Sequence, residues 1–128
     1  MIEIKMVVTV DVRNFLTSFF YAAAGIWHTL LTQRNMRVHF AAALLVLGLA
    51  VYLEVEAHDL LFLIFSITLV IMAEMFNTAV EAVVNLYTQT YHPLARVAKD
   101  VAAGAVLVAA LNSIAVAYLV IYPRLSGK

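Results

Sequence analysis

Polar residues in the first quarter of the chain return at alternating steps of four and three. Asn14, Ser18, Tyr21, Gly25, His28 and Thr32 therefore fall on one stripe of a helix, with Asp11 placed to cap its start. Phe15, Phe19, Ile26 and Leu30, flanked by Phe20, Trp27 and Leu31, fill a wide opposing apolar face. A face so broad suits a helix lying in a membrane interface, although an amphipathic helix packed on protein would carry the same stripe.

Longer apolar runs follow. A polar hinge, Gln33-Arg34-Asn35-Met36-Arg37, leads into the uncharged run 38–53, which spans a membrane only if its flanks add a turn. Residues 54–59 are polar and acidic and read as a turn. From Leu60 the chain stays apolar to Ala73 and continues in helical register through Glu74 and Glu81 to about Leu86. At 1.5 Å per residue that segment reaches roughly 40 Å against a hydrocarbon core of ~30 Å, so the end bearing Glu81 and Asn85 protrudes. Residues 88–93 read as a second turn. Arg96, Lys99 and Asp100 open the next helix, and 101–122 is a span without charge that Pro123 is expected to end. Ala98, Ala102, Ala105 and Ala109 give that span a small-residue face for close helix packing. The pattern predicts an all-α integral membrane protein, one domain over 1–128, with a surface helix at 11–32 and spans at 33–54, 59–87 and 95–122.

Composition agrees with lipid as the solvent: 65% of the 128 residues are hydrophobic, 12% are charged, and the mean hydropathy is +0.96. The absence of cysteine excludes disulfides, thiolate nucleophiles and zinc-thiolate sites. No G-x-x-x-x-G-K-[ST] loop occurs, so a nucleotide site here is not a P-loop; no histidine pair has helical ligand spacing, and no basic-aromatic patch suits nucleic acid. The first ten residues do not read as a cleaved signal peptide. His28, His39 and His58 are most simply interfacial, and Asn112 and Ser113 suit hydrogen bonds between spans. Lys5, Arg13, Arg34, Arg37, Arg96 and Lys99 gather on one side, opposite Arg124 and Lys128 with Glu54, Glu56 and Asp59. By the positive-inside rule the first side is cytoplasmic, where ATP is available.

The chemistry concentrates on the second span. Glu74, Thr78, Glu81 and Asn85 lie within about 40° of one line, with Asn77 about 60° aside. Glu74 lies roughly 10 Å deeper than Glu81, and an acid at that depth must face protein or water. A protonated Glu bonded to a neighbouring helix would satisfy that requirement. Functionally, a carboxylate withdrawn from water is a stronger base for an alcohol proton, which makes Glu74 the candidate base. Glu81, at the boundary, is placed to hold Mg²⁺ together with phosphate oxygens; Lys99 can neutralise phosphate, and Asp100 can orient a second group. The two acids and the lysine are expected to converge on a single pocket. A proton relay through Glu74 and Glu81 is the competing reading, in which Lys99 and Asp100 have no task.

With AEMFNTAVEAVV at 73–84, YHPLARVAKDVAAGAVL at 91–107 and QRNMRVH at 33–39, the chain resembles the small bacterial diacylglycerol kinase and undecaprenol kinase family from about Phe15 to Tyr122. The resemblance implies a homotrimer of three-span subunits in the bacterial plasma membrane, with active sites shared between subunits at the cytoplasmic face. It implies transfer of the γ-phosphoryl of Mg-ATP to a lipid alcohol, with 91–107 closer to the undecaprenol kinase branch. Carried over by residue, Glu74 is the general base and Asn77 and Arg37 position the substrate. Tyr21, Tyr91, His92, Lys99 and Asp100 contact the nucleotide, and Glu81 and Gln33 hold the metal. Gln33 stands where a glutamate is common, so weaker Mg²⁺ affinity is expected; Asn85 stands where an aspartate is common, and Asn14 where an arginine is typical.

Overall fold

The structure is a computed structural model describing residues 12–127; the expected cap Asp11, with Lys5 and Lys128 of the charge count, lies outside them. The described residues form four helices: α1 (Val12–Thr32), α2 (Arg34–Tyr52), α3 (Ala57–Tyr87) and α4 (Pro93–Leu125). The last three are long and apolar enough to cross a membrane; α1 is not among them. This matches the expected all-α chain with three spans after a first helix.

Each break has a local cause. Gln33 adopts an extended backbone between α1 and α2, and Arg37 turns back so that its guanidinium donates a 3.0 Å hydrogen bond to the Leu31 carbonyl. That carbonyl sits in the last turn of α1, where backbone acceptors lack helical partners. Met36, with no exposed surface, packs beneath the hinge. Between α2 and α3, Glu54 takes a left-handed conformation (φ 51°), and Arg124 from the end of α4 donates to its carbonyl at 3.0 Å. The same guanidinium lies 3.6 Å from both Glu56 and Asp59. The acidic turn is shorter than its composition predicts, because Glu56 is the last extended residue and Asp59 stands in the first turn of α3, where a negative charge meets the positive end of the helix dipole.

At the other end, Pro93 occupies the first turn of α4, where its missing N–H costs nothing, and the ring Nδ1 of His92 accepts from Leu94 N at 3.2 Å as the cap. Pro123 does not end α4, contrary to expectation. The helix runs on to Leu125, because the bond forfeited by a proline this near the terminus is a single one and Ser126 N still reaches the Tyr122 carbonyl at 3.0 Å.

α3 packs chiefly along α4, with α2 against α3 and α1 more lightly against α2 and α3. Ala50, Leu63, Val120 and Ile121 form a tight apolar cluster beside the Arg124 contacts, pinning all three spans at that end. Toward the opposite end the spans part around polar groups.

Candidate active site

Glu74 is 1% exposed and Asn77 9%, both on α3. They line a cavity of about 330 Å³ with Asn35 and His39 of α2 and Ala103, Val106, Leu107 and Ala110 of α4. The Glu74 backbone carbonyl accepts a 2.9 Å hydrogen bond from Thr78 Oγ1. Its side-chain Oε2 and the Asn77 Oδ1, both buried, have no hydrogen-bond partner among the described residues. Two orphaned acceptors in one cavity each cost about 1–3 kcal/mol unless a donor reaches them, so the cavity suits a molecule that brings a hydrogen-bond donor.

A second cavity, of about 250 Å³, lies toward the α3–α4 turn and is lined by Asn85, Thr88, Tyr91, His92, Arg96, Lys99 and Asp100 among others. Lys99 Nζ donates to Asn85 Oδ1 at 2.7 Å. Asp100 faces Arg96 at 3.5 Å, one turn back on the same helix, in an exposed pair of the kind worth little. Lys99 is thus the partly buried cation of this cavity, held by a neutral partner. His92 lines the cavity while its Nδ1 serves the α4 cap.

Glu74 and Lys99 therefore do not share one pocket within the chain; they occupy two tiers of one groove. Residues 74, 77, 81 and 85 follow one face of α3, and 99, 103, 106 and 110 one face of α4. Ala103, at the wall of the deeper tier, stands a single turn, about 6 Å, from Lys99. Glu81 falls between the tiers, partly buried and without an ion pair or side-chain hydrogen bond among the described residues.

Among the described residues no group of three or more His, Cys, Asp or Glu side chains is gathered as a metal cage. Mg²⁺ does not require one, since it is commonly held by one or two carboxylates while substrate phosphates and water fill the other positions. A lone, unpaired Glu81 beside the groove fits that donor set. Gln33 stands at the α1–α2 hinge, Arg37 is engaged with Leu31, and Tyr21 is 75% exposed on α1 and lines neither tier.

One member escaped the sequence reading. His39 is not merely interfacial: it is partly buried and opens onto the Glu74 cavity. Asn35, one turn before it on the same face of α2, was the available signal. Asn85 was already on the α3 stripe, but its bond to Lys99 depends on the register of α3 against α4, which a single-helix period does not contain.

Residues 20–121 match the family profile described as prokaryotic diacylglycerol kinase. A diacylglycerol kinase of Synechocystis sp. is 43% identical over 113 residues, covering 88% of this chain and 65% of that protein, so the chain spans just under two thirds of that relative's length. An undecaprenol kinase of Bacillus subtilis is 39% identical over 115 residues, covering 90% of this chain and 94% of its own. A diacylglycerol kinase of Escherichia coli is 34% identical over 94 residues, 73% and 77% of the two chains.

Proposed function

We propose, from the premise that this chain belongs to the prokaryotic diacylglycerol kinase family of lipid kinases, that it phosphorylates the hydroxyl of a membrane lipid alcohol using ATP. The observation that carries this reading is the pair of orphaned acceptors, Glu74 Oε2 and Asn77 Oδ1, buried on the α3 face that continues to Asn85 and its bonded lysine, Lys99.

In this reading the lipid hydroxyl enters the deeper tier and donates to Glu74, with Asn77 fixing its approach. The alcohol oxygen forms its bond to the γ-phosphorus as the bond to the bridging oxygen of ADP breaks, and the hydroxyl proton passes to the Glu74 carboxylate. Lys99 leaves its hydrogen bond with Asn85 for the phosphates, while Tyr91, His92 and Asp100 line the nucleotide's tier. Little covalent work falls to the protein, because phosphoryl transfer depends mainly on positioning and on neutralising charge. Glu81, with the Gln33 amide oxygen, is the group that would hold Mg²⁺, whose contribution is to neutralise phosphate charge. Tyr21 on α1 and Arg37 at the hinge are assigned to the nucleotide and the lipid by the family resemblance alone, since neither lines a tier of the groove.

Undecaprenol is the acceptor we favour over diacylglycerol. In favour of that acceptor, the stretch 91–107 resembles the undecaprenol kinase branch and the Bacillus subtilis relative aligns along 94% of its length, while the Synechocystis diacylglycerol kinase is of similar identity. A homotrimer with shared sites is supported by the aromatic side chains that one chain leaves uncovered on α3, among them Phe62, Phe65 and Phe76 at 60–66% exposed. The basic hinge and α4 entry support a cytoplasmic site in a bacterial plasma membrane. The test is transfer of γ-labelled phosphate from ATP to each lipid in micelles. Label on undecaprenol in preference to diacylglycerol, lost in Glu74→Gln, is the expected result; label on neither lipid, or undiminished label in the variant, overturns the reading.

A further inference from the structure

The Glu74 cavity has a second titratable wall. His39 of α2 is partly buried and lines it opposite Glu74 and Asn77. Of the other walls, Asn35 and Asn77 are amides and Val38, Ala103 and Val106 are apolar, so His39 is the one lining residue besides Glu74 that can take up a proton. Every turnover of the reaction proposed above, on which this inference rests, leaves a proton on Glu74. At 1% exposed, within a span, that carboxyl has no direct route to bulk water. A base that keeps its proton cannot act a second time.

We propose that His39 takes the proton from Glu74 after each transfer and returns the carboxylate to its ionised, correctly oriented state. The carboxyl O–H bond breaks, an N–H bond forms on the neutral imidazole, and the resulting imidazolium releases its proton to water at the membrane surface. Asn35, exposed and one turn nearer the surface on the same face of α2, stands along that exit. Glu74 Oε2 has no partner in the unliganded chain, so the proton crosses the cavity through a water or by rotation of the ring. A cavity of about 330 Å³ with several polar groups has room for that water. His39 acts through Glu74 and is a positioning residue.

Among the described residues no neighbouring group competes for this task. On α3, Glu81 faces the same stripe about 10 Å nearer the surface, where it is reserved for metal and phosphate. α4 brings only alanine, valine and leucine to the cavity, and its Lys99 is bonded to Asn85. On α2, Arg37 is committed to the Leu31 carbonyl and Arg34 is exposed; on α1, Tyr21 and His28 are exposed.

The experiment compares the full-length chain with His39→Ala and His39→Gln in detergent micelles, using ATP with undecaprenol and, in parallel, with diacylglycerol. Turnover is followed between about pH 5 and 9, the interval in which an imidazole changes charge, with and without added imidazole. Expected are a fall in kcat of about 100-fold, the lower end of acid–base contributions, and an unchanged KM for ATP. Any acid-side decline of kcat in the parent chain is expected to change shape in both variants, leaving only the limb that Glu74 itself imposes, and imidazole restores His39→Ala, which has the vacancy, more than His39→Gln. Unfolding temperatures in micelles identify a variant that fails to fold, in which case the pH profile of the other decides. A parent-like kcat and pH profile in the variants overturns this inference alone. So does a loss shared by KM that imidazole does not relieve and that leaves the pH profile unchanged. A parent chain silent on both lipids overturns the functional reading instead.

Discussion

Lys99 donates a 2.7 Å hydrogen bond to Asn85 across the groove between α4 and α3. The partner is an amide, so the ammonium is held in place while its charge stays uncompensated and ready for phosphate. Lys99→Met is expected to lower kcat/KM for ATP by about 10²–10³, the usual loss when one transition-state charge donor is removed. Asn85→Ala is expected to raise KM for ATP while Asn85→Asp, which keeps an acceptor at the same reach, preserves more of the activity. Initial rates across ATP concentrations separate these outcomes.

Glu74→Gln is expected to lower turnover by about 10²–10⁴ without loosening the fold. The new amide can donate to Asn77 Oδ1, which has no donor in the native chain. Satisfying that atom contributes about 1 kcal/mol. Thermal unfolding in micelles should show the variant at least as stable as the parent, and a lower unfolding temperature would count against the free cavity described for this pair.

Metal dependence follows from a single strong carboxylate at the groove. Chelation with EDTA is expected to abolish transfer, and Glu81→Ala to raise sharply the Mg²⁺ concentration needed for half-maximal rate. Gln33→Glu adds negative charge at the hinge and should lower that concentration. Mg²⁺ titrations of initial rate decide; an unchanged requirement in Gln33→Glu would place the hinge outside the metal's surroundings.

The opposite end of the molecule offers a control that leaves the chemistry alone. Arg124→Met removes the bond to the Glu54 carbonyl and the contacts to Glu56 and Asp59, which are partly solvated and together contribute on the order of 1 kcal/mol. Glu54→Gly relieves a left-handed backbone (φ 51°) and should gain up to about 1 kcal/mol, the smaller part of a strain partly offset by glycine's own entropy. Both changes should move the unfolding temperature, in opposite directions, with turnover per folded molecule unchanged.

How much of this was visible in the sequence varies by scale. The α1 stripe and the α3 line from Glu74 to Asn85 repeat within one helix, and such a period is written in consecutive letters. Three apolar runs and their polar interruptions likewise announced the spans. What crosses between helices was hidden. His39 beside Glu74 and Lys99 on Asn85 each require knowing how far one helix slides along its neighbour, a quantity set by packing rather than spacing. The separation of the site into two tiers has the same origin. Pro123 misled because the rule against helix-interior proline weakens within the last turn.

The deeper tier is walled in part by exposed residues, Asn35, Val38, Ala103 and Leu107, so it can be reached sideways from among the lipids. Its two reactants then arrive by different geometries: the nucleotide diffuses in three dimensions from bulk solution, the alcohol in two within the bilayer plane. Velocity should consequently track the mole fraction of acceptor in the surface rather than its quantity per litre. Diluting that surface with inert amphiphile would slow the reaction even with every substrate molecule still present.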